Sequence, residues 1–305
     1  MDIFAELMER LAGRCPGLEL REHEPMAKHT SFRVGGPVRL MALPRTAEEA
    51  VRVVQAAAEL GIKPFFMGNG SNLLVADGGW EGLIVKTFDG LSALEGKGDT
   101  LRAGSGLLLS RLANAALDRG LTGLEFAHGI PGSLGGGVTM NAGAYGGELK
   151  DVLVNVTVMD REGNILKKTP EELCMGYRTS SVLSEEYVVL EAEINLEKGD
   201  RRLIRARMDD LAARRREKQP LEYPSAGSTF KRPEGYFAGK LIDDAGLRGF
   251  RVGGAQVAEK HCGFVINREQ ATAADVMELC RRVSGAVKEQ FGVELEMEVK
   301  TIGNF

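Results

Sequence analysis

Two glycine-rich stretches hold the residues whose types and spacing point most directly to chemistry. Gly123–Glu148 reads GLEFAHGIPGSLGGGVTMNAGAYGGE, with nine glycines in its first 25 residues and Gly135, Gly136 and Gly137 in a row. Glycine loses the most backbone entropy on ordering, so this run is predicted to form neither a stable helix nor an ordinary strand. Close approach of backbone amides to a large ligand, which side chains would obstruct, offsets that cost. A flexible linker is the competing reading, but linkers are polar; this run contains Phe126, Ile130, Pro131, Leu134, Val138, Met140 and Tyr145, which pack. The second stretch, Met67-Gly68-Asn69-Gly70-Ser71-Asn72-Leu73-Leu74, follows the apolar Pro64-Phe65-Phe66. Glycines and small polar residues directly after a strand suit a nest of amides for phosphate oxygens. The third glycine of the dinucleotide fingerprint is missing, and no Gly-Lys-Ser/Thr follows to make a P-loop. A tight turn would give the same letters.

Three further segments carry polar side chains suited to a reacting centre. Ser225-Ala226-Gly227-Ser228-Thr229-Phe230-Lys231 follows a proline and reads, by residue type alone, as a turn. Arg178, after Tyr177, reads as a surface cation. Leu295-Glu296-Met297-Glu298-Val299-Lys300 alternates acidic and apolar residues, the pattern of a half-buried strand with Glu296 and Glu298 on one face.

Together the two glycine-rich stretches resemble the flavin-binding module of the vanillyl-alcohol-oxidase type. There one GxGSN loop grips the FAD pyrophosphate and a second Gly-rich segment passes under the flavin. The wording HTSFRVGGP (His29–Pro37), GNGSNLL (Gly68–Leu74), IPGSLGG (Ile130–Gly136) and MNAGAYG (Met140–Gly146) is similar, collinearly and nearly end to end, to the UDP-N-acetylenolpyruvoylglucosamine reductase family. The resemblance implies an α+β protein: a two-subdomain FAD-binding module followed by a C-terminal α+β substrate domain. It also implies bound FAD, NADPH as co-substrate, and reduction of UDP-N-acetylglucosamine enolpyruvate to UDP-N-acetylmuramate for bacterial peptidoglycan. Relatives that tether flavin often use a histidine in or near the pyrophosphate loop; Gly68–Leu74 has none, so the FAD is expected to be non-covalent.

Carried over position by position, the resemblance assigns cofactor contacts to Arg33, Gly68, Asn69, Gly70, Ser71, Asn72, Leu73, Gly132, Ser133, Gly136, Asn141, Gly143 and Ala144. It makes Ser228 the proton donor, assigns Arg178 of the Tyr-Arg-x-Ser motif to the substrate carboxylate, and brings Glu298 to the active site with Glu296 as the weaker alternative. Tyr177, Lys218, Arg232 and His261 are implied substrate contacts, although Arg232 stands where other members have asparagine. His128 stands where a small residue is expected. Neither it nor His29 has an assigned role, and His23 reads as a surface residue. Only 49 residues separate Arg178 from Ser228, which resembles the family's shorter branch, without a tyrosine-bearing lid. Two other readings stand beside this one: a different FAD oxidoreductase on the same module, such as an alcohol or hydroxy-acid oxidase, and a non-catalytic flavin subunit relaying electrons. Ser228, Arg178 and Glu298 separate them, since a relay has no need of an acid beside a substrate carboxylate.

The elements that must position these residues fall into three α+β units, 1–90, 91–199 and 200–305. The first is predicted to hold helix Met1–Gly13, an extended segment, strand Val38–Leu43, a Thr46-capped helix Glu48–Leu60, strand Pro64–Met67, the Gly68–Leu74 loop and strand Leu83–Lys86. In the second, a strand near Leu101–Ala103 and helix Leu107–Arg119 precede the glycine run. The hairpin Val152–Asp160/Ile165–Lys168, a helical turn Glu171–Met175 and strand Tyr187–Leu196 follow it. Basic helix Asp200–Lys218 opens the third, followed by helix Tyr236–Asp244, strand-like Phe250–Ala258, strand Gly263–Asn267, helix Thr272–Gln290 and strand Leu295–Ile302. The 305 residues carry a net charge of −4, which gives no case for nucleic acid or an anionic membrane, and no apolar run approaches the roughly 20 residues that span a bilayer. Cys15, Cys174, Cys262 and Cys280 are widely spaced without a CxxC, so no metal site is indicated and buried free thiols in a reducing cytoplasm are expected. The sequence leaves the oligomeric state open.

Overall fold

The computed structural model describes residues 2–305, so the expected helix start at Met1 lies outside the described residues. The first helix runs Ile3–Arg14, and the Asp2 carboxylate caps it by accepting from the Phe4 amide at 3.1 Å. The chain builds three principal sheets. One is four-stranded, in the order Glu19–Pro25, Pro37–Leu43, Trp80–Lys86, Phe65–Met67. A second is five-stranded and antiparallel, in the order Ile165–Lys168, Leu153–Met159, Val188–Asn195, Thr100–Gly104, Leu94–Lys97. The third is four-stranded, in the order Ser225–Ser228, Phe264–Asn267, Ala255–Val257, Arg251–Val252. No helix among the described residues is long and apolar enough to cross a membrane.

The chain divides into two compact units. The first comprises the chain up to Glu22, Leu40–Asn69 and Gly82–Arg214. Helix Ala47–Ala58 begins as its capping residue predicts, with the Thr46 hydroxyl accepting from the Glu49 amide at 3.1 Å. Its buried Val53, Ala56 and Ala57 meet Leu7 and Leu11 of the first helix and Leu40, Leu83 and Val85 of the sheet. A larger core in the same unit joins the five-stranded sheet to helix Leu109–Asp118 through Leu101, Leu112, Ala116, Val156 and Ile194.

The glycine run departs from the expectation that it cannot be helical: Leu134–Thr139 is an α-helix containing Gly135, Gly136 and Gly137. Tertiary packing overrides propensity here. Leu134 and Val138 are fully buried, and a Cβ on Gly135 would sit 2.8 Å from the Ser105 Cβ. On Gly137 it would sit 2.9 Å from a Leu149 methyl. Absence of side chains is what lets this short helix lie flat on the core.

The second unit comprises His23–Arg39, Gly70–Glu81 and Arg215–Phe305. Its core gathers Phe32, Leu74, Phe230, Ile242, Val265, Val276, Leu279, Val283 and Val299 around helix Ala273–Phe291. That helix is capped twice. Thr272 and Asp275 form a capping box, and Asp77 accepts from the Ala273 and Ala274 amides at 2.7 and 2.9 Å, placing a carboxylate on the positive end of the helix dipole. Several expected elements differ. Of Leu295–Ile302 only Lys300–Ile302 is a strand, and it runs parallel to Leu73–Val75, so the Gly68–Leu74 loop ends in a strand of its own. Phe250–Ala258 is a hairpin of two short strands turning at Gly253-Gly254. In the first unit Glu171–Met175 is a turn rather than helical. Cys174 is exposed, while the other three cysteines are buried free thiols and burial pushes Cys280 up to about 12.

The two neighbouring helical glycines should respond in opposite senses to the same substitution. Gly135→Ala meets the Ser105 Cβ and carbonyl oxygen and should lower stability by about 1–3 kcal/mol, the usual range for overpacking. At Gly136 a Cβ meets nothing within 4 Å, so Gly136→Ala should leave the ligand-free protein up to about 1 kcal/mol more stable. Denaturant titration of both variants measures this, and equal shifts would contradict the packing described.

Candidate active site

In the first unit the site is built around the short glycine helix. Ser133 precedes it in extended conformation, and its Oγ is buried with no hydrogen-bond partner among the described residues. A buried hydroxyl without a partner is costly, and at a helix N-terminus it is placed to serve an anion. Gly68 lies against it: a Cβ there would come within 2.0 Å of Ser133 Oγ. Asn69 Nδ2 donates to the Pro131 carbonyl at 2.6 Å, fixing the GNGSN loop to the IPGS segment. Gly132 accepts from the Leu109 amide at 3.0 Å. Gly136 is exposed, and its missing Cβ would project into open space, so packing within the protein gives no reason for glycine there.

Asn141 is fully buried, and its left-handed φ of +41° turns the chain out of the helix. Its carboxamide donates to Glu148 Oε2 at 2.9 Å and to the Gly176 carbonyl at 3.0 Å, and accepts from the Lys150 amide at 3.0 Å. Asn141 thus ties the MNAGAYG segment to the turn that carries Tyr177 and Arg178. Arg178 itself is half-buried at φ +54°, with Nη2 donating to the Gly143 carbonyl at 2.9 Å and its guanidinium 5.3 Å from the Tyr177 ring. Ala144 pairs with Gly147 beside it, and Tyr177 is exposed. Lys150, Asn141 and the Arg178 charge hold the Glu148 carboxyl below its usual range. His128 is held neutral, first by burial and then by the Arg205 charge; its Nδ1 has no partner among the described residues.

In the second unit the loop continues as Gly70–Leu73. Gly70 takes φ +63°, and its carbonyl accepts from the Ser31 amide at 3.1 Å. The amides of Gly70, Ser71 and Asn72 donate to no backbone carbonyl among the described residues, the condition for an anion nest. Ser31 Oγ is a second buried hydroxyl without a partner there, and the neighbouring Arg33 is exposed at φ +56°. Orphaned hydroxyls, unused amides and a glycine facing open space fit the phosphates and flat body of a flavin dinucleotide in the separate parts described.

The same unit brings Ser228 and Glu298 onto neighbouring backbone. Thr229 accepts from the Glu298 amide at 2.9 Å, Phe230 bridges Met297, and the Lys231 amide donates to the Glu296 carbonyl at 2.8 Å. Thr229 is fully buried, its Oγ1 accepting from the Val265 amide at 2.9 Å, whereas Ser228 is exposed. Asn72 completes the arrangement: its Nδ2 donates to the Glu298 carbonyl at 3.1 Å and its carbonyl accepts from the Lys300 amide at 3.1 Å. Leu73 lies in the strand that follows. Glu296 is exposed and paired with Lys231 at 2.5 Å, while Glu298 is half-buried. Lys218 is exposed at the end of its helix. The Arg232 guanidinium lies 4.0 Å from the Phe237 ring centre. His261 Nδ1 accepts from the Gly263 amide at 3.1 Å, and burial keeps the ring neutral with Nε2 as donor. His29 is paired with Glu24 at 2.8 Å. Sequence reasoning missed the anchoring roles of Thr229 and Asn72, because a buried threonine and a long-range amide contact have no local pattern. Ser31 was within reach of it, in the HTSF motif.

Residues 38–169 match the family described as FAD binding domain. The plant protein Physcomitrella patens BBE-like 1 shares the fold over 65% of this chain and 45% of its own, with a TM-score of 0.50 at 15% identity. The chain is therefore a flavoprotein of that module. Residues 219–302 match UDP-N-acetylenolpyruvoylglucosamine reductase, C-terminal domain. The UDP-N-acetylenolpyruvoylglucosamine reductase of Clostridium novyi is 53% identical over 285 residues, 93% of this chain and 92% of the relative. The crystal structure of the Thermus caldophilus enzyme superposes with a TM-score of 0.81 at 37% identity, covering 93% of this chain and 98% of that one. The chain belongs to the UDP-N-acetylenolpyruvoylglucosamine reductase family.

Gly70→Val should abolish flavin binding, since a β-branched residue is strained at φ +63° and its side chain would stand among the nest amides. The ratio of flavin to protein absorbance after purification measures it; a fully yellow variant would reduce the loop to a turn.

Proposed function

We propose that this chain reduces the enolpyruvyl group of UDP-N-acetylglucosamine enolpyruvate to the lactyl ether of UDP-N-acetylmuramate, at the expense of NADPH, in peptidoglycan precursor synthesis. The observation that carries the reading is the juxtaposition of the Ser228 and Glu298 segments through the Thr229 carbonyl, inside the C-terminal segment that matches the reductase family. Bound FAD would supply the hydride chemistry, between NADPH and the terminal carbon of the enolpyruvyl group. Gly68, Asn69, Gly70, Ser71, Asn72, Leu73, Gly132, Ser133, Gly136, Gly143, Ala144 and Arg33 would hold it, with Asn141 shaping the backbone of its own segment.

The protein's own task is to manage one carboxylate, one developing negative charge and one proton. Arg178 offers the flat, two-point contact that a carboxylate takes and that remains favourable as charge spreads onto it. Ser228 gives its hydroxyl proton to the carbon adjacent to the one that receives hydride. Serine is a weak acid in water, so this step relies on the substrate excluding solvent from an otherwise exposed hydroxyl. Glu298 stabilises or shares the proton in transit. Lys218, Arg232, His261 and Tyr177 hold the nucleotide sugar, the cations acting on its diphosphate. In this reading residues 1–90 and 91–199 carry the cofactor and 200–305 the substrate, and the protein works on small molecules in the bacterial cytoplasm.

Ser228→Ala tests the proton step. The variant should stay yellow and be reduced by NADPH at a near-normal rate, while reoxidation by the enolpyruvyl substrate slows about 10²-fold or more. Stopped-flow flavin absorbance separates the two; equal slowing of both halves would make Ser228 a shaping residue only. Arg178→Lys retains the charge but loses the planar fork, so kcat/KM for the enolpyruvyl substrate should fall by at least about tenfold. Wild-type turnover in that variant would remove Arg178 from the site.

A further inference from the structure

We propose that Glu148 is a positioning residue for Arg178, its carboxylate locking both the turn that carries the arginine and the strand that receives it. The proposal rests on the reading of Arg178 as the group that meets the substrate carboxylate, and it lies wholly within the first unit. Two routes join the residues. The first runs through Asn141, whose Nδ2 donates both to Glu148 Oε2 at 2.9 Å and to the Gly176 carbonyl at 3.0 Å. The Gly176 and Thr179 amides each donate to the other's carbonyl, at 3.0 and 3.4 Å, and Tyr177 and Arg178 sit at the tip between them. The second runs through Gly143. Its carbonyl accepts from Arg178 Nη2 at 2.9 Å, and it lies opposite Glu148 in a two-stranded pairing. A Cβ on Gly143 would come within 2.8 Å of the Glu148 Cγ and 2.7 Å of the Gly147 carbonyl oxygen, so the glutamate stem occupies the space a side chain at 143 would need.

The chemistry of this position calls for a carboxylate. Glu148 Oε2 takes Lys150 Nζ at 2.9 Å as well as the Asn141 amide. The Glu148 side chain also accepts from the Asp151 amide, closing a capping box in which the Asp151 carboxylate accepts from the Glu148 amide at 2.9 Å. Three donors thus converge on one side chain, and an ionised carboxylate is acceptor-only on both oxygens. A carboxamide of the same shape offers one oxygen and turns a donor toward one of those partners. Lys150 first, then Asn141 and the Arg178 charge, hold the carboxyl below its usual range, so it is ionised at neutral pH. Glu148 is half-buried and Asn141 fully buried, so a bond lost between them is not simply replaced by water. Arg178 stands at φ +54°, a conformation that non-glycine residues keep only when their surroundings hold them in it. Holding the guanidinium in one orientation matters because a two-point contact to a carboxylate tolerates little misplacement.

The test is a double-mutant cycle on the flavin-loaded full chain, comparing wild type, Glu148→Gln, Arg178→Lys and the double variant by stopped-flow flavin absorbance. In Glu148→Gln, reoxidation of the flavin by UDP-N-acetylglucosamine enolpyruvate should slow between about 10- and 100-fold, while reduction by NADPH changes by less than about twofold. In the Arg178→Lys background the same substitution should slow reoxidation by less than about twofold further, because the fork it positions is already gone. Glu148→Asp keeps the charge but draws it back by one methylene. It should fall between wild type and Glu148→Gln, and it takes the place of Glu148→Gln in the cycle if that variant does not fold. Hydrogen–deuterium exchange gives a readout independent of turnover: the Gly176 and Thr179 amides should exchange about tenfold or more faster in Glu148→Gln. An additive cycle, equal slowing of both halves, loss of flavin from both glutamate variants, or unchanged exchange overturns the proposal. If Arg178→Lys turns over at the wild-type rate, the functional reading of Arg178 fails instead, and the exchange measurement alone decides whether Glu148 holds the turn.

Discussion

Much of the second unit's site depends on one short segment, Glu296–Lys300, whose backbone is hydrogen-bonded on both sides. On one side Thr229 and Lys231 take up Glu298 and Glu296; on the other Asn72 takes up Glu298 and Lys300. Below it Val299 is buried in the core with Phe230 and Leu74. Such a segment satisfies its backbone groups without belonging to a broad sheet, which is what buried polar groups demand. The consequence is functional. Ser228, Glu298 and the glycine loop of residues 70–72 come from three distant parts of the chain, yet their backbones are locked to one another, so none can shift without disturbing the others.

Glycine serves two different ends in this protein, and only the environment tells them apart. Gly135 and Gly137 are glycines because Ser105 and Leu149 occupy the space a side chain would need. Gly136, between them, has open space and exposure, so packing within the chain gives no reason for it. A helix that would be unstable alone is retained because the two flanking positions permit close packing and the middle one leaves its outer face bare.

The first unit uses a buried polar network for a comparable purpose. Asn141 has each polar atom of its carboxamide engaged, and removing any one partner would leave a buried donor or acceptor unsatisfied, at about 1–3 kcal/mol. That makes the turn bearing Arg178 stiff where a surface loop would ordinarily be mobile. The left-handed backbone at Arg178 is maintained by the same network and by the bond to the Gly143 carbonyl. An arginine that reads as a surface cation in isolation is thereby held in a fixed, half-buried position.

The sequence by itself determined the module, the family and the candidate residues. Motifs such as GNGSNLL, IPGSLGG and MNAGAYG are local strings whose glycine positions answer to backbone conformation and close approach. It also determined most helices, because periodic apolar faces and caps such as Thr46 and Thr272 are local too. The tertiary structure alone decided what those residues do for one another. It made a helix of three consecutive glycines, placed Leu73–Val75 beside Lys300–Ile302 across more than two hundred residues, and gave Asn141 and Asn72 anchoring roles. It also left Cys174 exposed and Thr229 buried. Each of these is set by contacts between residues far apart in the chain, and long-range packing leaves no periodic or spacing signal in the neighbourhood of either partner.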